Sequence, residues 1–99
     1  MKRSKPAAPP QHLDEQARAK WAEVYPILEE RGEPDQGSLD ALAGYCLAYS
    51  RWTAAEAQVN ALGPVVKSPA GFAVANPYVA LAAAAGRQMR AWSTELRRR

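Results

Sequence analysis

Residues 67–78 read KSPAGFAVANPY, and they separate two alanine-rich segments whose apolar residues recur at helical spacing. Ahead of them Pro64, Val65, Val66 and Lys67 favour extended backbone, and Ser68-Pro69-Ala70-Gly71 carries turn chemistry with proline before glycine. Phe72, Ala73 and Val74 return as a second extended piece, so the pattern predicts a small β-hairpin over about residues 64–74. Asn76-Pro77 then opens a helix, with asparagine as N-cap and proline at the first helical position, where its missing N–H costs nothing. The expected fold is mainly α, with three helices and a short β-hairpin between the second and the third.

Working outward, the third helix is expected from about residue 77 to 97, with Leu81, Ala85, Met89, Trp92 and Leu96 at steps of four and three. Its Ala82, Ala83, Ala84 and Ala85 followed by Gly86 leave a smooth strip. A glycine inside a helix costs about 1 kcal/mol against alanine, and close approach of another helix offsets that cost; the plainer reading is that alanines are good helix formers. The second helix is expected over about residues 38–62, capped by Ser38, with Asp40 in its first turn and Gly63-Pro64 as its stop. Leu39, Leu42, Cys46 and Tyr49 make one apolar stripe along it, while Tyr45, Tyr49, Trp52, Glu56 and Val59 follow a neighbouring track. A helix that is apolar on more than one face needs more than one partner, and some of those partners can belong to another subunit.

The first helix is expected over about residues 14–31, where Trp21, Val24, Tyr25 and Leu28 share one face and Gly32 and Pro34 end the pattern. Pro26 removes one backbone hydrogen bond and predicts a kink or an early break. Residues 1–12 hold Pro6, Pro9 and Pro10 with Lys2, Arg3 and Lys5 and no apolar period, so they read as a disordered basic arm before a single helical domain over residues 13–99.

Size and composition limit the function classes. A chain of 99 residues with 47% hydrophobic residues is one domain. It buries only about 60% of its unfolded surface, which makes a lone monomer marginal and leaves oligomerisation open. No apolar run approaches the ~18 residues of a membrane span, and MKRSKPAAPPQ lacks the apolar core of a signal peptide; a cytoplasmic protein is expected. One cysteine, Cys46, and one histidine, His12, exclude a disulfide framework and a zinc knuckle. Cys46 lies in a helical pattern and reads as a buried structural thiol.

The net charge of +3 is unevenly laid out. Residues 14–40 hold eight acidic and three basic residues, a balance of −5, and residues 51–99 hold seven basic and two acidic ones, a balance of +5. Basic ends can meet phosphates or the acidic first helix of another subunit, or they are solvated tails suited to a helix C-terminus. No phosphate loop, dinucleotide fingerprint, zinc-protease or nucleophile-elbow motif is present. The one dense carboxylate cluster, Glu29, Glu30, Glu33 and Asp35, has the residue types of a metal or acid–base site but sits where a helix end faces water. The sequence reads as that of a protein without catalytic residues, metal or cofactor.

Trp21, the segment LDALAGYCLAYSRWTAAEAQVNALGPVV, the glycine-bearing hairpin and ANPYVALAAAAGRQMRAW follow one another in an order that resembles the phage terminase small subunits of the P27 family. The residues that carry the resemblance are Leu42, Tyr45, Cys46, Trp52, Ala55, Gly63, Asn76 and Pro77, and it covers about residues 14–96. It implies a non-enzymatic part of a viral DNA-packaging motor in the host cytoplasm. Such subunits form a ring-like homo-oligomer, engage double-stranded viral DNA and present it to the large terminase subunit, which carries the ATPase and nuclease. On that reading the second and third helices build the ring through Tyr45, Tyr49, Trp52, Val59, Ala82, Gly86, Met89 and Trp92. Charge alone then selects Lys2, Arg3, Lys5, Lys67, Arg87, Arg90, Arg97, Arg98 and Arg99 as phosphate contacts, many copies acting together. Family members commonly continue into a Leu-Gly-Leu-(Thr/Ser)-Pro segment with further arginines, whereas this sequence ends at Leu96-Arg97-Arg98-Arg99.

Two other classes fit parts of the pattern. The acidic, aromatic-bearing first helix suits a small protein-interaction module, chaperone or antitoxin-like, that binds no DNA. A helix-turn-helix regulator needs a short turn, which the connection from Gly32 to Gly37 supplies, but neither flanking helix offers a row of base-reading Arg, Asn or Gln. Salt dependence separates DNA binding from the rest, since a few phosphate contacts weaken roughly 10-fold or more between 50 and 200 mM salt.

Overall fold

The computed structural model describes residues 7–98. In chain order the elements are α1 (Glu15–Glu30), α2 (Gln36–Leu62), β1 (Val65–Lys67), β2 (Ala73–Ala75) and α3 (Pro77–Arg98). The three helices and the hairpin between the second and third stand where the sequence places them. Asp14 caps α1 by accepting from the Ala17 N–H at 2.9 Å, and Trp21, Tyr25 and Leu28 line its buried face. The helix passes Pro26 without a break. The carbonyl that loses its partner there belongs to Ala22, and both residues are exposed, so water can satisfy it.

The start of α2 differs from the expectation. Its cap is Asp35, whose Oδ1 accepts from the Ser38 N–H at 2.7 Å, and Ser38 is buried in the first turn. A carboxylate caps as well as a hydroxyl and adds negative charge at the positive end of the helix dipole. Because the helix begins earlier, Asp40 falls beyond the first turn, where its Oδ1 accepts from Gln36 Nε2 at 2.9 Å.

The hairpin is antiparallel, with Val65 opposite Ala75, Val66 opposite Val74 and Lys67 opposite Ala73. Its second strand starts one residue later than expected, which leaves Phe72 in the turn. Gly63, at φ 83°, ends α2 in a conformation other residues rarely adopt. Asn76 closes the unit: it is 1% exposed, its Nδ2 donates to the Gly63 C=O at 2.9 Å, its N–H to the Pro64 C=O at 2.8 Å, and its Oδ1 accepts from the Tyr78 N–H at 3.0 Å.

The main core sits at one end. There Leu13, Ala17, Trp21, Tyr25 and Leu28 meet Ala41, Leu42 and Cys46 of α2 and Leu96 of α3. Arg31 at the end of α1 donates from Nη1 to the Leu96 C=O at 3.0 Å, a cation at a helix C-terminus. Beyond this core α2 and α3 continue as a two-helix stem that buries chiefly small residues, Ala48, Ala55, Ala82, Ala85 and Gly86. The result is elongated, 65 × 24 × 17 Å, with a radius of gyration of 17.0 Å against about 13 Å for a compact chain of this length.

Close approach along the stem is set by tryptophans on glycines. A Cβ on Gly44 would lie 2.7 Å from Cδ2 and Nε1 of Trp92, whereas one on Gly86 would meet Trp52 Cδ1 at an ordinary 3.5 Å. Gly44→Ala is therefore expected to lower stability by about 1–3 kcal/mol, while Gly86→Ala is expected to be neutral or stabilising by up to about 1 kcal/mol; urea unfolding of both variants checks the contrast. A second tie joins α1 to α2, where the Ser50 hydroxyl donates to the Asp14 carboxylate at 2.7 Å. That bond, with the Ala17 N–H second, holds the Asp14 carboxyl below its usual range. Its contribution is thus complete above the ordinary carboxylate range and is lost as pH falls through the lowered folded value. Ser50→Ala is expected to lower the urea midpoint at neutral pH and to flatten its fall below about pH 4.

Candidate nucleic-acid interface

At about 100° per residue, Arg87, Arg90, Arg97 and Arg98 fall within an arc of about 100° on α3, and all four are exposed. The row runs about 17 Å along the axis, comparable to about five phosphates of one DNA strand at 3.4 Å each. Ala82, Ala85, Gly86 and Leu96 occupy the side turned to the rest of the chain. The Asn76 cap fixes where α3 starts and with it which side each arginine takes. Arg97 and Arg98 lie in the last turn, favourable for cations, beside the Arg31 contact.

The other basic candidates do not join this row. Lys67 is exposed on β1 at the turn end of the hairpin, opposite Ala73, outside α3. Lys2, Arg3, Lys5 and Arg99 lie outside the described residues. Residues 7–12 of the expected arm lie against α1. The Trp21 indole N–H donates to the Ala7 C=O at 3.2 Å, and the Ala7 N–H donates to the Tyr25 hydroxyl at 3.1 Å. Arg18 donates to the carbonyls of Pro10, Gln11 and Leu13. The sequence signal for this strap was the pairing of a proline-rich segment with aromatics four residues apart on one helix.

Opposite in charge is the outer side of α1, where Glu15, Glu23 and Glu30 are exposed. Lys20 pairs with Glu23 at 2.6 Å and lies 4.4 Å from the centroid of the Tyr49 ring; the hydrogen bond to Glu23 raises its pKa. The carboxylate cluster at the end of α1 is dispersed, because Asp35 turns to cap α2. Among the described residues no group of three or more His, Cys, Asp and Glu side chains is arranged to hold a metal ion, and no helix is long and apolar enough to cross a membrane.

Several of the residues expected at a subunit interface make contacts within the chain. Tyr45 packs on the core, Tyr49 and Trp52 stand 6.3 Å apart, and Ala82 and Gly86 are buried. Val59 and Met89 are half-buried, and Trp92 rests on Gly44 while staying 39% exposed. Apart from Ile27 on α1 and Trp92, the large apolar side chains left open lie toward the hairpin end, at Leu62, Val65, Phe72, Val74, Tyr78, Val79 and Leu81. Phe72, expected in the second extended piece, instead stands in the turn, and Leu81, the first of the apolar series expected along the third helix, is 56% exposed.

The family model described as phage terminase, small subunit, matches residues 17–97. No curated protein and no solved structure matches the chain. The matched span contains α1 from its first buried residue, α2, the hairpin and nearly all of α3.

Cys46, the chemically most reactive side-chain type in that span, is fully buried, and burial pushes its thiol up to about 12. In the folded protein at pH 8 it is expected to resist a disulfide reagent such as 5,5'-dithiobis(2-nitrobenzoate). Labelling should reach one thiol per chain only on adding denaturant, which absorbance of the released thiolate reads directly.

Proposed function

This chain belongs to the phage terminase small-subunit family, with a part in phage DNA packaging, and from that premise we propose that it binds double-stranded viral DNA and presents it to the large terminase subunit. In this reading it is a non-enzymatic, self-assembling component of the P27 type, working in the host cytoplasm. The observation that carries DNA contact is the exposed row of Arg87, Arg90, Arg97 and Arg98 on one side of α3. Lys2, Arg3, Lys5 and Arg99 add charge to the chain ends, and Lys67 makes a separate contact at the hairpin end.

The physical logic is positional. Four guanidinium groups on one rigid helix offer charge-assisted bonds to phosphates without reading base edges, so one copy binds weakly and without strong sequence preference. Repeating the row in an assembly turns later contacts into intramolecular ones and raises affinity with no new kind of contact. The acidic outer side of α1 is repelled by DNA and so favours an orientation with α3 toward the duplex.

Fluorescence anisotropy with a labelled duplex tests this across a salt series. Wild-type affinity is expected to fall roughly 10-fold or more between 50 and 200 mM salt. Arg87→Ala with Arg90→Ala is expected to reduce the slope of log K against log salt by about 2, with a smaller change for Lys67→Ala. A salt-independent or absent interaction with DNA would sink the reading and favour the protein-interaction module.

A further inference from the structure

Phe72 stands in the turn between β1 and β2 and keeps 71% of its surface exposed. The turn that carries it is tied at three points. The Ser68 N–H donates to the Phe72 C=O at 2.7 Å, the Gly71 N–H to the Ser68 C=O at 2.8 Å, and the Phe72 N–H to Ser68 Oγ at 3.1 Å. Gly71, at φ 91°, supplies the left-handed residue that this turn requires. An exposed phenyl ring on a fixed backbone loses little freedom on binding, which is the property of an anchor residue.

A receptor of the right size lies on the same chain. Between α2 and α3 a groove of about 340 Å³ is lined by Ala54, Ala55, Leu81, Ala84 and Ala85, with Tyr78 among the residues around it. Alanines on both helices leave the space, and Leu81 within it is 56% exposed. A cavity of about 150 Å³ suffices for a benzene ring, so the groove has room for a phenyl side chain. Arg51 also lines it and offers a cation for the ring face. Phe72 does not fill the groove of its own chain, since it is largely exposed.

We propose that Phe72 of one copy seats in the α2/α3 groove of a second copy of this chain. The proposal rests on the self-assembly reading above and names the contact. Each copy carries one knob and one hole on different parts of its surface, so the contact is heterologous and repeats head to tail, closing into a ring where the rotation allows. A partner of another kind would leave either knob or hole unfilled in every copy. A second copy fills both at once, and Leu62, Val65 and Val74 at the knob end extend the apolar area.

Sedimentation velocity over a concentration series tests it with three samples: wild type, Phe72→Ser and Ala54→Trp. Phe72 and Ala54 are both exposed, and circular dichroism verifies that each variant is folded. Wild type is expected to form assemblies larger than a dimer. Either variant alone is expected to need on the order of 30-fold higher concentration to assemble, as for loss of a binding hot spot. Phe72→Ser keeps the hole and Ala54→Trp keeps the knob, so their equimolar mixture is expected to give a heterodimer that grows no further. Wild-type assembly that persists in Phe72→Ser, or two non-assembling variants that give no heterodimer, overturns the knob-and-hole contact while self-assembly stands. A wild type that stays monomeric throughout overturns self-assembly itself, and the contact with it.

Discussion

Asn76 is buried between the end of α2 and the start of α3, and all its polar groups are used. It donates to the Gly63 and Pro64 carbonyls, accepts from the Tyr78 N–H through its side chain, and accepts from the Val79 N–H through its own carbonyl at 3.0 Å. Losing any of these would leave a polar group orphaned in a site with 1% exposure, which costs about 1–3 kcal/mol. The hairpin is consequently more than a connection. It determines the residue at which α3 begins, and a shift by one residue rotates every side chain on that helix by about 100°. Such a shift would carry Arg87 and Arg90 off their exposed side and bring charge toward Trp52. The arginine row, the Trp92 contact on Gly44 and the groove beside Leu81 all depend on that one register.

The uneven core follows from the composition. Large apolar residues are concentrated in α1 and the first half of α2, and they meet Leu96 there. The distal stem has alanine and glycine instead, so its two helices lie close, but little apolar area is removed from water along it. At about 25 cal/mol per Å² an alanine side chain contributes much less than a leucine. A stem of this kind is held by Asn76 at one end and by the core at the other. Its outer apolar surface stays available for a second chain.

Much of this was legible. Asn76-Pro77 marked the start of α3, the glycine and proline pairs marked the hairpin, and the spacing of Trp21, Tyr25 and Leu28 gave the buried side of α1. What local pattern could not decide were choices between chemically equivalent residues. Asp35 and Ser38 both make good caps, and burial of Ser38 in the tertiary fold selected Asp35. Gly44 and Gly86 both lie inside helices, and only the position of the Trp92 ring shows that Gly44 is the one without room for a methyl group. The strap of residues 7–12 was only partly legible: its prolines argue against regular structure, but its carbonyls are taken by Trp21 and Arg18 of the helix that follows.

The arrangement of α3 bears on how charge and assembly can coexist. Measured at about 100° per residue, Leu81 and Gln88 lie roughly 100° or more around the helix from Arg87 and Ala84 about 60° from it, while Arg90 and Arg97 lie on the side of Arg87 away from the groove. A contact made through the groove therefore leaves the guanidinium groups in water. It also keeps them out of a dry interface, where an unpaired cation would be expensive. On the proposed reading, DNA contact and self-association draw on different sides of one helix, both set by Asn76. If the arginine side meets DNA as proposed, it gains from repetition that the other side would supply, so assembly and affinity would be coupled through copy number, with no conformational change required.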